Sequence, residues 1–184
     1  MTANNHVDGP SLRTALVLAG GKGERLRPLT DDRPKPMALV NGMPILEHHL
    51  RWLRANGVER AVLLVGYLQD VVREYFAKDR IEGLAVECVG EDRPLGRGGA
   101  FRNGFEQAGI TDATVVATNG DVLTDQPLGP LMDLHLRTEA LATLLLTQMV
   151  KLRGGRNRTR QRRRSCEGKK VGTIARRRQS LYCE

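Results

Sequence analysis

Residues 18–37 read LAGGKGERLRPLTDDRPKPM and combine a glycine-rich turn with cationic side chains that could hold a phosphate chain. Gly20, Gly21 and Gly23 follow a short apolar run at residues 15–18, and Arg25 and Lys35 come after them. A glycine-rich turn after a strand lets backbone N–H groups approach a phosphate chain, because no Cβ stands in the way. The planar fork of Arg25 can hold phosphate oxygens, and Lys35 adds a second positive charge. The same residues also suit an exposed strand-to-helix turn, and glycines alone leave both readings open. Two commoner motifs are excluded. Gly21-Lys22 is followed by Gly23, so the Ser or Thr of a Walker A loop is missing, and Leu26 stands where a dinucleotide fingerprint needs its third glycine. A second chemical group is Asp121, in Asn119-Gly120-Asp121 after the apolar run 114–118. Mg²⁺ prefers hard oxygen ligands, one or two carboxylates completed by phosphates and water. An isolated Asn-Gly-Asp also makes a turn or cap.

The glycine segment resembles the sugar-1-phosphate nucleotidyltransferase family, whose signature is roughly G-G-x-G-[TS]-R-L-x-P-L-T-x-x-x-P-K-P. Gly20, Gly21, Gly23, Arg25, Leu26, Pro28, Leu29, Thr30, Pro34, Lys35 and Pro36 fall in register with it. Glu24 departs from the pattern, which carries a small hydroxyl residue there, and a carboxylate beside a phosphate loop is expected to face solvent. The resemblance covers roughly residues 13–149. It implies a nucleotide site formed by Leu18, Ala19, Gly20, Gly21, Gly23, Glu91, Pro94, Gly96, Asn119 and Gly120. It also gives Asp121 the role of Mg²⁺ ligand.

The implied reaction is in-line attack by a sugar 1-phosphate oxygen on the α-phosphorus of a nucleoside triphosphate. Pyrophosphate leaves and a nucleotide sugar forms. Positioning and charge neutralisation carry such a reaction. Arg25 is expected on the leaving pyrophosphate, Lys35 on the phosphates around the attacked phosphorus, and Asp121 on Mg²⁺.

In the segment EDRPLGRGGA at 91–100, the resemblance places a base-reading residue three positions before Pro94, at Glu91. A carboxylate only accepts hydrogen bonds. Guanine presents N1–H and its amino group side by side, whereas uracil and thymine present one N–H between two carbonyls. Glu91 therefore favours GTP, and with it the resemblance implies a mannose-1-phosphate guanylyltransferase-like activity on a sugar 1-phosphate such as mannose 1-phosphate, with glucose and heptose phosphates equally open. A thymidylyl- or uridylyltransferase acting on glucose 1-phosphate is the alternative. Arg97 is a second departure, since many relatives have a smaller residue there.

These groups need a scaffold, and the pattern supplies one. Apolar runs at 15–18, 61–65, 84–89, 114–118 and 141–149, the last with a Leu and Ala content that also suits a helix, alternate with helical spacing around 45–53, 71–76, 98–108 and 128–135. Such alternation predicts a parallel sheet with helices on both faces. With the resemblance it gives a Rossmann-like, mixed but mostly parallel α/β sheet, C-terminally incomplete. Ligands of such sheets bind beyond the carboxyl ends of the strands, where both the signature loop and Asp121 would lie. The 184 residues suffice for one domain, and no membrane-length apolar run or signal-peptide pattern is present. Cys88, Cys166 and Cys183 lack metal-ligand spacing, as do the scattered histidines His6, His48, His49 and His135. Cys88 and Trp52 read as core residues. A reducing cytoplasm without a membrane partner is expected, and a homo-oligomer is open.

The charge divides the chain. Net charge is +8, yet 13 of the 29 Lys and Arg and only two of the 21 acids lie in 151–184, leaving the first 150 residues slightly acidic. The expected organisation is a disordered extension at 1–12, a nucleotide-binding domain at 13–150 and a basic, disordered tail at 151–184. The family's later E-K-P-like and N-A-G-like motifs and its second Mg²⁺-binding Asp are absent from this tail. Either a frameshift near codon 150 or a genuine basic tail accounts for it. No aromatic residue is interleaved with residues 156–164, so stacking on nucleic acid bases is not supported. The expectation is therefore a truncated, weakly active enzyme, with a non-catalytic nucleotide-binding module carrying a basic nucleic-acid-binding tail as the other alternative.

Overall fold

A computed structural model describes residues 13–78, 80–91, 93–112, 114–146 and the backbone of 147–148 and 168–176. The expected extension at 1–12, Cys166, Cys183 and most of the basic tail lie outside these residues. The main sheet has six strands in the order β5 (Ala85–Gly90), β4 (Arg60–Val65), β1 (Thr14–Leu18), β6 (Thr114–Asn119), β8 (Gly168–Arg176) and β7 (Ala142–Gln148). Strands β5, β4, β1 and β6 are mutually parallel, and β8 runs antiparallel to both β6 and β7. A small hairpin pairs β2 (Leu39–Val40) with β3 (Met43–Pro44) through a turn at Asn41-Gly42.

Helices cover both faces, as the alternation predicts. Helix α1 (Ile45–Ala55), α2 (Gln69–Phe76) and α4 (Gly129–Thr138) share one core with Ala15, Val17, Leu63 and Val65 of the sheet. Helix α3 (Gly96–Gln107) covers the opposite face, where Ala100, Phe101 and Phe105 pack with Leu16, Val62 and Leu64. Alternate residues of one strand thus serve opposite cores, which explains the unbroken apolar runs of β1 and β4. In α1, Leu46, Leu50 and Leu53 are all fully buried. They recur at helical spacing, and burial of each stabilises the fold by about 1.5–3 kcal/mol. The helix stops at Gly57, whose φ of +90° suits the left-handed closing position. Its N–H and that of Val58 close onto the Arg54 and Leu53 carbonyls at 3.0 and 3.1 Å.

The expectation of disorder across 151–184 is corrected at Gly168–Arg176, which forms strand β8 between β6 and β7. Main-chain hydrogen bonding to two neighbours needs no apolar period, and the β-branched Val171, Thr173 and Ile174 suit an extended chain. Among the described residues no helix is long and apolar enough to cross a membrane.

The strand order places β4 on one side of β1 and β6 on the other. Connections leaving β1 and its neighbours therefore diverge at the carboxyl edge, opening a crevice where ligands of such sheets bind.

Candidate active site

The loop after β1 is held at this edge by its own backbone. Ala19 donates its N–H to the Leu64 carbonyl at 2.8 Å, and Lys35 donates its N–H to the Gly21 carbonyl at 3.0 Å. Gly23 sits at the turn into a short 3-10 segment, Glu24–Leu26, with φ of +69°. Its carbonyl accepts the Leu26 N–H at 2.8 Å and the hydroxyl of buried Thr30 at 2.9 Å. Gly21 has open space where a side chain would be. Arg25 is exposed and makes no ion pair among the described residues, so its fork is available to a ligand. Glu24 is exposed, as expected.

Lys35 opens a second 3-10 segment, Lys35–Met37, in which Pro36 and Met37 are buried. Its ammonium pairs with Asp121 Oδ2 across a sequence separation of 86 residues. The two side chains are 34% and 24% exposed, so solvent still reaches the pair. The contact joins the signature loop to the end of β6, two segments that sequence reading assigned to one site.

Asp121 is backed by α1. Gly120 donates its N–H to the Leu18 carbonyl at 2.8 Å, and a Cβ at Gly120 would come within 2.8 Å of Leu46 Cδ1. His49, 1% exposed, has Nε2 3.2 Å from the Thr118 hydroxyl and stacks on Trp52 with ring centroids 5.2 Å apart. Burial lowers its pKa to about 4, so His49 is neutral near pH 7. Trp52 Nε1 donates to the Gln126 carbonyl at 3.0 Å, and Asn56 Oδ1 accepts the Leu128 N–H at 2.8 Å. One face of α1 thus fixes both the strand before Asp121 and the loop after it. These supporting residues escape sequence reading, because their spacing also serves an ordinary core helix.

Glu91 follows β5, and its N–H reaches the Val65 carbonyl at 3.2 Å. One carboxylate oxygen accepts the Leu95 N–H at 3.1 Å beside the start of α3. The other lies 3.2 Å from the point where a side chain at Gly66 would begin. A Cβ at Gly20 would in turn approach Gly66 N to 2.9 Å. Gly20, Gly66 and Glu91 therefore crowd together at the ends of β1, β4 and β5. In the sequence Gly66 shows only as a lone glycine after an apolar run. Leu18 and Asn119 are register partners in β1 and β6. Pro94, Gly96 and Arg97 are exposed, with open space around the Gly96 Cα.

Arg33 grips Asp32 at 2.7 and 2.8 Å on an exposed turn. Cys88 is a half-buried free thiol packed beside the core, and burial raises its pKa.

Asp121 offers a hard, solvent-accessible oxygen donor at the carboxyl edge. Among the described residues no group of three or more His, Cys, Asp or Glu converges to cage an ion. This donor set fits a cation that arrives with most of its ligands as phosphate and water, which is how Mg²⁺ is commonly held.

The family model described as Nucleotidyl transferase matches residues 14–153. The chain is 41% identical over 135 residues to a mannose-1-phosphate guanylyltransferase of Mycobacterium tuberculosis, a match covering 73% of this chain and 37% of that protein. It is 34% identical over 135 residues to a D-glycero-alpha-D-manno-heptose 1-phosphate guanylyltransferase of Aneurinibacillus thermoaerophilus, covering 73% of this chain and 57% of that protein. The crystal structure of HddC from Yersinia pseudotuberculosis complexed with GMP-PN superposes with a TM-score of 0.61 at 31% identity, covering 67% of this chain and 54% of that one. The chain thus spans less than two thirds of the length of each. The family match takes in most of the chain, and the chain belongs to the nucleotidyl transferase family.

Proposed function

We propose that this member of the nucleotidyl transferase family is the nucleotide-handling core of a sugar-1-phosphate guanylyltransferase. It takes GTP with Mg²⁺ and serves the transfer of GMP to a sugar 1-phosphate such as mannose 1-phosphate. The observation that carries this reading is the meeting of Lys35 and Asp121 at the carboxyl edge, beside the glycine loop. One cationic group and one metal-ligating carboxylate are brought together where a triphosphate can lie over open backbone.

The chemistry assigns each group a task. The sugar phosphate oxygen forms a bond to the α-phosphorus, the bond to the bridging oxygen breaks, and pyrophosphate departs with that electron pair. Arg25 holds the departing pyrophosphate through its exposed fork. Lys35 offsets charge around the attacked phosphorus, and the backbone from Gly20 to Gly23 lines the phosphate path. Asp121 would hold Mg²⁺, which when bound neutralises phosphate charge. Glu91 accepts from the N1–H and amino group of guanine. The names of the guanylyltransferase relatives support the choice of GTP over UTP or dTTP. A reducing, cytoplasmic setting suits the free Cys88 thiol.

The test is a pyrophosphate-release assay on the full 184-residue chain with GTP, mannose 1-phosphate and Mg²⁺. Release that requires both substrates and is lost in Asp121→Ala supports the proposal. Release unchanged in Asp121→Ala, or a chain that neither releases pyrophosphate nor binds GTP, refutes it.

A further inference from the structure

We propose that Lys35 is a positioning residue for the cation site: its ammonium holds the cation's place on Asp121 until nucleotide and cation enter together, and then passes from carboxylate to phosphate. The inference rests on the reading of Asp121 as a cation ligand.

Lys35 is fixed at its backbone and free at its side chain. Its N–H is bound to the Gly21 carbonyl at 3.0 Å, and its Cβ lies under Gly23. Pro34 and Pro36 flank it and restrict the backbone, and Pro36 and Met37 are buried. The Lys35 Cα therefore stays with the glycine loop, and only the side-chain torsions can carry the ammonium elsewhere. A lysine suits such an exchange, being a point charge on a flexible stem with no preference for a flat, two-pronged partner.

Asp121 alone is a poor site for a bare cation. Its Oδ2 is already neutralised by the Lys35 ammonium. No group of three or more His, Cys, Asp or Glu converges among the described residues, so a bare cation would meet a single occupied carboxylate. Both side chains are more than half buried, so the repulsion between an arriving dication and the ammonium is only partly screened. A cation arriving on a triphosphate brings most of its ligands with it. It also brings phosphate oxygens as a new partner for the displaced ammonium. The ion pair thus excludes free cations and admits the nucleotide-bound one.

The test titrates the full chain with Mn²⁺ as a spectroscopic stand-in for Mg²⁺, following free ion by electron paramagnetic resonance without nucleotide. Wild type, Lys35→Met, Lys35→Gln, Asp121→Asn and the Lys35→Met/Asp121→Asn double variant are compared, with thermal melts to confirm that each is folded. The expected result is Mn²⁺ binding roughly tenfold tighter in both Lys35 variants than in wild type. That gain should disappear in the double variant. Lys35 variants that titrate like wild type, whether tightly or undetectably, overturn the proposal. In that case a loss of Mn²⁺ from the GTP complex on Asp121→Asn alone still upholds Asp121 as the ligand. A gain that survives in the double variant overturns both.

Discussion

The Cα of Gly23 presses against the side chain of Lys35: a methyl group there would lie 2.8 Å from Lys35 Cβ and 3.0 Å from Thr30 Cγ2. Gly23 also adopts φ of +69°, which disfavours a side chain whatever the space. Gly23→Ala is expected to cost about 1–3 kcal/mol of stability. It should also shift Lys35 and weaken GTP binding. Thermal melting and nucleotide titration check this, and a variant that melts and binds like wild type contradicts it.

Glu91→Gln separates the base-reading role from the structural one. Glutamine keeps a carbonyl oxygen for the Leu95 N–H, now bound at 3.1 Å, so the fold should be retained. It lacks the charge and second acceptor suited to the paired donors of guanine. A hydrogen bond to a charged group contributes roughly 1.5–3 kcal/mol, so the preference for GTP over dTTP should fall by about 10- to 100-fold. Unchanged selectivity would assign Glu91 to holding the start of α3 alone.

His49 gives the fold an acid-sensitive element. Burial lowers its pKa from 6.5 to about 4, so the unfolded chain binds its proton more readily than the folded one. Stability from the neutral ring is present above pH 6.5 and is lost as pH falls from 6.5 towards 4, by at most about 3 kcal/mol. Glu47 acts lower in pH. Its burial opposes ionisation, but hydrogen bonds from Tyr75 and Arg51 and the charges of Arg51 and Arg80 hold its pKa below the usual value. Its contribution is lost only as pH falls below the ordinary carboxylate range. Urea unfolding of wild type and His49→Gln at pH 7 and pH 5 tests the histidine share. The wild type should lose more stability between these values than the variant does.

Asn56 ties α1 to the loop beyond Asp121. Its Oδ1 accepts the N–H of buried Leu128 at 2.8 Å, and its amide donates to the Trp52 carbonyl at 2.9 Å. Asn56→Ala leaves the Leu128 N–H without that acceptor and should cost about 1–3 kcal/mol in a denaturant titration. Full retention of stability would show that the loop is fixed by other contacts.

The sequence was most legible where one physical demand dominates. Buried parallel strands need unbroken apolar runs, so β1, β4 and β6 stand out, while Lys35 and Asp121 are legible through the resemblance carried by the segment after β1 and by the Asn-Gly-Asp after β6. Contacts between side chains distant in sequence were not legible. Nothing in its own neighbourhood marks Gly66 as the residue between Gly20 and Glu91, or His49 as the support beneath β6. Strand β8 was missed for a different reason. Its β-branched residues are few within a segment dominated by arginine, and its hydrogen-bonding neighbours are set by the sheet and not by its own composition.

The most direct test is calorimetric titration of the full 184-residue chain with GTP and with dTTP in the presence of Mg²⁺. GTP is expected to bind with a dissociation constant on the order of the KM values common for enzyme substrates, about 1 μM to 1 mM. Binding of dTTP should be weaker, and Asp121→Asn should show a clear loss of GTP affinity. No GTP binding, or equal binding of both nucleotides that Asp121→Asn leaves untouched, would contradict the proposed function.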